Sequence, residues 1–210
     1  MMQAMVAFAT TALETLMREL KLIFLDIDGV LNRAKPMGNG YCGIDETNRL
    51  RFNTMLNVCT DAKLVITSSW RNQIYHAHGT LNSLEECLLT HGLNVRDRVI
   101  GVLDRDPDDD LDNEHWSVRS PEWWLHQARK HRKQLLINYL HPIRDNVFSY
   151  VIIDDVCLNM RRQILCDPEW GLTWADTMEV CRLLHQAVNP EFLKKDALEA
   201  SYHYNQRSLP

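Results

Sequence analysis

No stretch of this 210-residue chain is long and apolar enough to span a bilayer as a helix. The first eleven residues are apolar but lack an early basic cluster, and they continue through Glu14, Arg18 and Glu19. That pattern predicts an amphipathic helix ahead of the first strand, not a signal peptide. A basic excess is missing too: 23 Lys and Arg stand against 28 Asp and Glu, for a formal net charge of -5. This excludes a protein that coats nucleic acid non-specifically, though basic residues between Arg129 and Arg132, and again at Arg161 and Arg162, allow local binding of a nucleic-acid end. The 6 cysteines, Cys42, Cys59, Cys87, Cys157, Cys166 and Cys181, have no paired metal spacing. Scattered through apparent core elements, they read as reduced thiols in a cytoplasmic setting. There is no internal repeat, and the only low-complexity segment is an acidic loop at residues 104–114.

What the chain does have is a 45% hydrophobic content, enough for one domain with a full core. Three apolar runs organise it. Lys21-Leu22-Ile23-Phe24-Leu25-Asp26-Ile27-Asp28-Gly29-Val30-Leu31-Asn32 leads into two carboxylates and a turn glycine, as a parallel strand covered on both faces would. Ligands of such sheets bind beyond the carboxyl ends of the strands, where Asp26 falls. Two carboxylates this close do not both ionise cheaply unless positive charge sits between them, and Mg2+ at a phosphate site is the simplest such charge. Leu64-Val65-Ile66-Thr67-Ser68-Ser69-Trp70-Arg71 is a second strand, ending in hydroxyls ahead of helix-compatible sequence. A hydroxyl followed by free helical N–H groups binds phosphate. Phe148-Ser149-Tyr150-Val151-Ile152-Ile153-Asp154-Asp155 is a third strand and closes on a pair of acids.

Other features carry less. His76 and His78 have an alternating spacing but no nearby acidic or histidine partner, and read as surface histidines. The acidic loop from Asp104 to Glu114 lacks the glycine and glutamate of a calcium loop, which favours solvation. Trp116, Trp123 and Trp124 read as packing residues before stacking platforms.

The three motifs in order resemble the haloacid dehalogenase (HAD) superfamily, and in particular the HAD domains of RNA repair ("Swiss army knife") proteins. The likeness runs from Lys21 to about Leu184 and includes Gly171-Leu172-Thr173-Trp174-Ala175-Asp176, with Thr173 as the N-cap of a helix. The resemblance implies that Asp26 is the nucleophile and a Mg2+ ligand. Asp28 would serve as the general acid and base, and its main-chain carbonyl as a metal contact. Ser68, or Thr67 if the strand ends one residue earlier, would hold a phosphoryl oxygen, with Ser69 and Arg71 also on the substrate side. Asp154 would complete the Mg2+ shell, with Asp155 acting directly or through a metal-bound water. The motif also needs a cation near the start of the helix before the third strand. Counting back from Leu136, Tyr139 and Leu140 favours Arg132, with Lys133 and Lys130 as alternatives.

An acid two residues after the nucleophile argues for phosphoryl transfer over dehalogenation, because an alkoxide leaving group needs a proton and a halide does not. The expected fold is a Rossmann-like α/β three-layer sandwich with a mainly parallel sheet and a small or absent cap. Its expected divisions are an N-terminal helix in residues 1–20, the catalytic domain in 21–189, and a short helix and tail in 190–210. Between the motifs there is room for a helix near residues 45–60, another near 72–91, a strand near 98–103 and a modest lid within 104–120. An open site suits a phosphorylated nucleic-acid end or a nucleotide. The expected function is therefore a Mg2+-dependent phosphatase acting through an aspartyl-phosphate. A small-metabolite phosphatase and a catalytically silent regulator on the same fold are the alternatives.

Overall fold

The computed structural model describes residues 20–33, 43–68, 70, 80–103 and 121–188. The expected terminal helices, Ser69, Arg71, His76, His78, the acidic loop and Trp116 lie outside the described residues, as do most of the stretches in which a lid could be built. Five strands form one sheet: β1 (Leu20–Leu25), β2 (Ala62–Ile66), β3 (Val99–Val102), β4 (Val147–Asp154) and β5 (Gln163–Leu165). Their order is β3-β2-β1-β4-β5, and every paired neighbour is parallel. The helices are α1 (Glu46–Val58), α2 (Leu81–Thr90), α3 (Pro121–Ile143) and α4 (Trp174–Leu184). This is the expected Rossmann-like α/β sandwich.

Side-chain alternation along the strands builds two cores, one on each face of the sheet. Ile23, Leu25, Leu64, Ile66, Val151 and Ile153 share one cluster with Phe52, Met55 and Leu56 of α1, Leu84 and Leu88 of α2, and Val180, Leu183 and Leu184 of α4. Leu22, Phe24, Val65, Tyr150 and Ile152 turn the other way and pack under Leu136 and Leu140 of α3. A strand buried on both faces has no polar side to alternate with, which is why β1 and β4 read as continuous apolar runs.

Helix ends follow from local side chains. Asp45 caps α1 by accepting from the Thr47 and Asn48 amides at 2.9 and 3.2 Å. Thr173 caps α4 and forms a reciprocal box with Asp176, as its place ahead of the apolar pattern predicts. The helix expected over residues 72–91 begins later: Thr80, in an extended conformation, caps α2 through Ser83, so no helix runs through that point. The short edge strand β5 gives little period to read from sequence. Arg162, one of the basic pair that the sequence offers for local nucleic-acid binding, is engaged within the fold. Its guanidinium donates to the Tyr150 carbonyl and the Ser149 hydroxyl, each at 2.7 Å, and to the carbonyls of Leu183 and Gln186, tying β4 to the end of α4. The five cysteines among the described residues are free, with the Sγ atoms of Cys59 and Cys181 3.3 Å apart. Among the described residues no helix is long and apolar enough to cross a membrane.

Candidate active site

The chain runs outward from β1 through β2 to β3 and then returns to lay β4 on the other side of β1. The strand order therefore reverses between β1 and β4, and the crevice at their carboxyl ends is where a sheet of this kind receives a ligand. Register decides what sits there. Leu25 is level with Ile66 on one side and Ile153 on the other. The ladder then continues for one more residue, with the Thr67 amide donating to the Leu25 carbonyl at 2.9 Å and the Asp26 amide to the Ile153 carbonyl at 3.0 Å. Thr67, Asp26 and Asp154 thus stand side by side, followed by Ser68, Ile27 and Asp155.

Asp26 is 4% exposed and Asp154 fully buried. Together with half-buried Asp155 they form a group in which one carboxylate oxygen of each lies within 4.8 Å of the others. The Asp28 carboxylate is not part of that group. The counter-charge comes from α3. Arg132 lies one turn before Leu136 and two before Leu140, on the stripe that faces the sheet, so its side chain reaches the carboxyl edge. Nη1 of Arg132 donates to Asp26 Oδ2 at 2.6 Å and to both oxygens of Asp154 at 2.8 Å. It does so from the middle of α3 and not, as expected, from near its start, because the helix already begins at Pro121. Lys133 and Lys130 are half-buried on the same helix, and Lys133 is turned about 100° from Arg132 around the axis.

Main-chain amides hold the acids in place. Asp26 Oδ1 accepts from the Ile27 amide and Asp154 Oδ1 from the Val156 amide, each at 2.8 Å. Asp155 is seated against Gly29, whose φ of 78° suits glycine, and a Cβ at that position would overlap the Asp155 carboxylate. Burial pushes Asp154 up to about 7 against the pull of Arg132, with Asp26 adding to the rise. Asp155 is pushed up to about 6 by burial and then by Asp26. Burial works against the Arg132 charge, but Asp26 and Asp154 outweigh it and hold the guanidinium protonated far above neutral pH. Three carboxylates thus face one guanidinium, an excess of negative charge that oxygen-seeking divalent cations fit.

Ser68 is buried, and its hydroxyl accepts from the Trp70 amide at 3.4 Å. Asp28 sits on the turn after β1, where its Oδ1 accepts from Asn32 Nδ2 at 2.8 Å and from Trp70 Nε1 at 3.3 Å. Neither partner carries a role in the sequence reading. Asn32 has a local signal, an amide four residues after an acid in a tight turn. Trp70 has none, because its approach depends on β1 and β2 being neighbours. The loop before α4 also joins the site: the Leu172 amide donates to the Val30 carbonyl at 2.8 Å, and Gly171, with φ 67°, leaves room for Asn48 and Val30.

An acidic cluster paired with one guanidinium, at the switch point of a parallel α/β sheet, defines the class as an α/β protein whose carboxylates could hold a metal ion. Residues 22–177 match the family model of the HAD domain in Swiss Army Knife RNA repair proteins. The chain belongs to that family, within the HAD superfamily of hydrolases and phosphatases. No curated protein and no solved structure matches the chain.

Proposed function

We propose that the protein is a Mg2+-dependent phosphatase that cleaves phosphomonoesters through an aspartyl-phosphate on Asp26. The convergence of Asp26, Asp154, Asp155 and Arg132 at the carboxyl ends of β1 and β4 carries this proposal. Asp26, Asp154 and Asp155 would hold Mg2+, with the Asp28 carbonyl as a further oxygen. Bound there, the ion supplies positive charge against the non-bridging oxygens of the phosphoryl group.

Asp26 attacks phosphorus. The new P–O bond forms as the ester P–O bond breaks, and the electron pair leaves on the ester oxygen, which takes a proton from Asp28. A water molecule then attacks the same phosphorus and gives its proton to Asp28, and the bond to Asp26 breaks to release inorganic phosphate and restore both acids. Arg132 balances the charge of Asp26 and of the phosphoryl group, while Ser68, Thr67, Ser69, Arg71 and Lys133 are the candidates for holding its oxygens.

Phosphorylated nucleic-acid ends or nucleotides are the leading substrates, supported by the RNA repair proteins that give the family its name. The free thiols suit a reducing, cytoplasmic setting. The test is phosphate release, with and without Mg2+, from 5′- and 3′-phosphorylated oligonucleotides, mononucleotides and sugar phosphates. Metal-dependent release from oligonucleotide ends, with kcat/KM falling steeply as salt rises, is the expected result. Release confined to sugar phosphates and indifferent to salt would replace the nucleic-acid substrate with a small metabolite.

The raised Asp154 and Asp155 give a second expectation. In the metal-free fold the protonated acids are favoured, so their contribution to stability is fully present below about pH 4 and is lost as pH rises through 6 to 7. A divalent cation needs the ionised forms, so its binding releases protons and strengthens with pH. The rise in Tm on adding Mg2+ is therefore larger at pH 8 than at pH 5.5. An equal or smaller rise at pH 8 would remove these carboxylates as the metal site.

A further inference from the structure

We infer that Asn32 and Trp70 are positioning residues for Asp28, selecting which of its carboxyl oxygens delivers the proton to the leaving group. The inference rests on the phosphatase proposal above and assigns to it two residues outside the phosphoryl and metal contacts.

Asn32 is only 1% exposed, and both ends of its amide are engaged. Its Oδ1 accepts from the Gly29 amide at 3.0 Å, which fixes the orientation of the group, so that Nδ2 faces Asp28 Oδ1 at 2.8 Å. Trp70 reaches the same oxygen from the segment after β2. Its indole nitrogen can only donate, and it does so at 3.3 Å. The ring is half-buried against the core and meets His91 edge to face, with centroids 5.0 Å apart, so it arrives at a defined angle.

Two N–H donors on one carboxyl oxygen make that oxygen the acceptor. Proton delivery to the leaving group then falls to the other oxygen, Oδ2. The donors also lock the carboxyl plane between the turn after β1 and the turn after β2. General acid catalysis is worth roughly 10²- to 10⁴-fold and depends on the acid being aimed at the departing oxygen. An Asp28 with its oxygens free to exchange would lose part of that factor, and would lose it only where the leaving group needs the proton.

Leaving-group dependence is thus the readout. Nitrophenolate departs from p-nitrophenyl phosphate without a proton, whereas the ribose alkoxide of a nucleoside monophosphate does not. Trp70→Phe keeps the ring against His91 and removes only the donor, while Asn32→Ala removes the other donor from a separate turn. For each variant kcat/KM is measured on both compounds, because this constant reports the step in which the leaving group departs. The ratio of nucleotide to nitrophenyl turnover is expected to fall by roughly tenfold or more relative to the parent protein. Equal losses on the two compounds would mark a merely structural role and overturn the inference, as would unchanged ratios in both variants. A parent protein that releases phosphate from neither compound, and from none of the phosphorylated oligonucleotides and sugar phosphates above, overturns the phosphatase proposal, and the inference with it.

Discussion

Asp26→Asn is expected to abolish phosphate release, lowering kcat by on the order of 10⁴-fold or more, in a protein that stays folded. An amide is nearly isosteric with the carboxylate but does not attack phosphorus, so the covalent route closes. The fold survives because the main chain at this position is held by the sheet, through the Asp26 amide and the Ile153 carbonyl, and not by the carboxylate. Arg132 keeps both oxygens of Asp154. Electrostatics gives an independent check: Asp26 is one cause of the raised Asp155, so its neutralisation brings Asp155 down from about 6 towards the ordinary carboxylate range. Single-turnover phosphate release and a pH titration of the variant report the two effects. Release within tenfold of the parent rate would exclude Asp26 as the nucleophile.

The second large effect falls on stability. Arg132 is 22% exposed, Asp26 is 5% and Asp154 is fully buried, so Arg132→Met leaves two buried carboxylates without the guanidinium that pairs them. Breaking a buried pair in this way costs about 3 to 5 kcal/mol. The loss should appear in urea unfolding of the metal-free protein at pH 7.5, where the carboxylates would otherwise ionise, and shrink at pH 5, where protonation relieves them. Mg2+ should restore much of it and bind more tightly than to the parent, since the guanidinium no longer competes for Asp26 and Asp154. Phosphate release nevertheless stays low, because the charge that balances the phosphoryl group has gone. A destabilisation under about 1 kcal/mol would show that the pair opens in solution and behaves as a surface contact.

Several parts of this site are legible without coordinates because they are local. The strand that ends in Asp26, the strand that ends at Thr67 and Ser68, and the strand that ends in Asp154 each announce themselves by an apolar run meeting polar residues. Thr173 caps its helix through Asp176 within a single turn of chain. Arg132 can be picked out among its basic neighbours because helical period ties it to Leu136 and Leu140. Where the expectations fell short, one missed signal was local and one was distant in sequence. The start of α2 is set locally, by the box that Thr80 forms with Ser83. Arg162 reads as a surface charge until β4 and the end of α4 bring four acceptors around it.

The sequence by itself thus determined the three strands that carry the site, their apolar burial and the order in which acid, hydroxyl and acid appear, since periodicity and chain-end chemistry act over a few residues. Only the tertiary structure decided that β4 lies beside β1, and with it that Asp26 and Asp154 share one guanidinium, that Asp155 needs the bare backbone of Gly29, and that Trp70 reaches Asp28. Those contacts join residues up to 128 positions apart, Asp26 to Asp154. Their geometry comes from strand register and helix placement across the whole sheet, which no local pattern encodes.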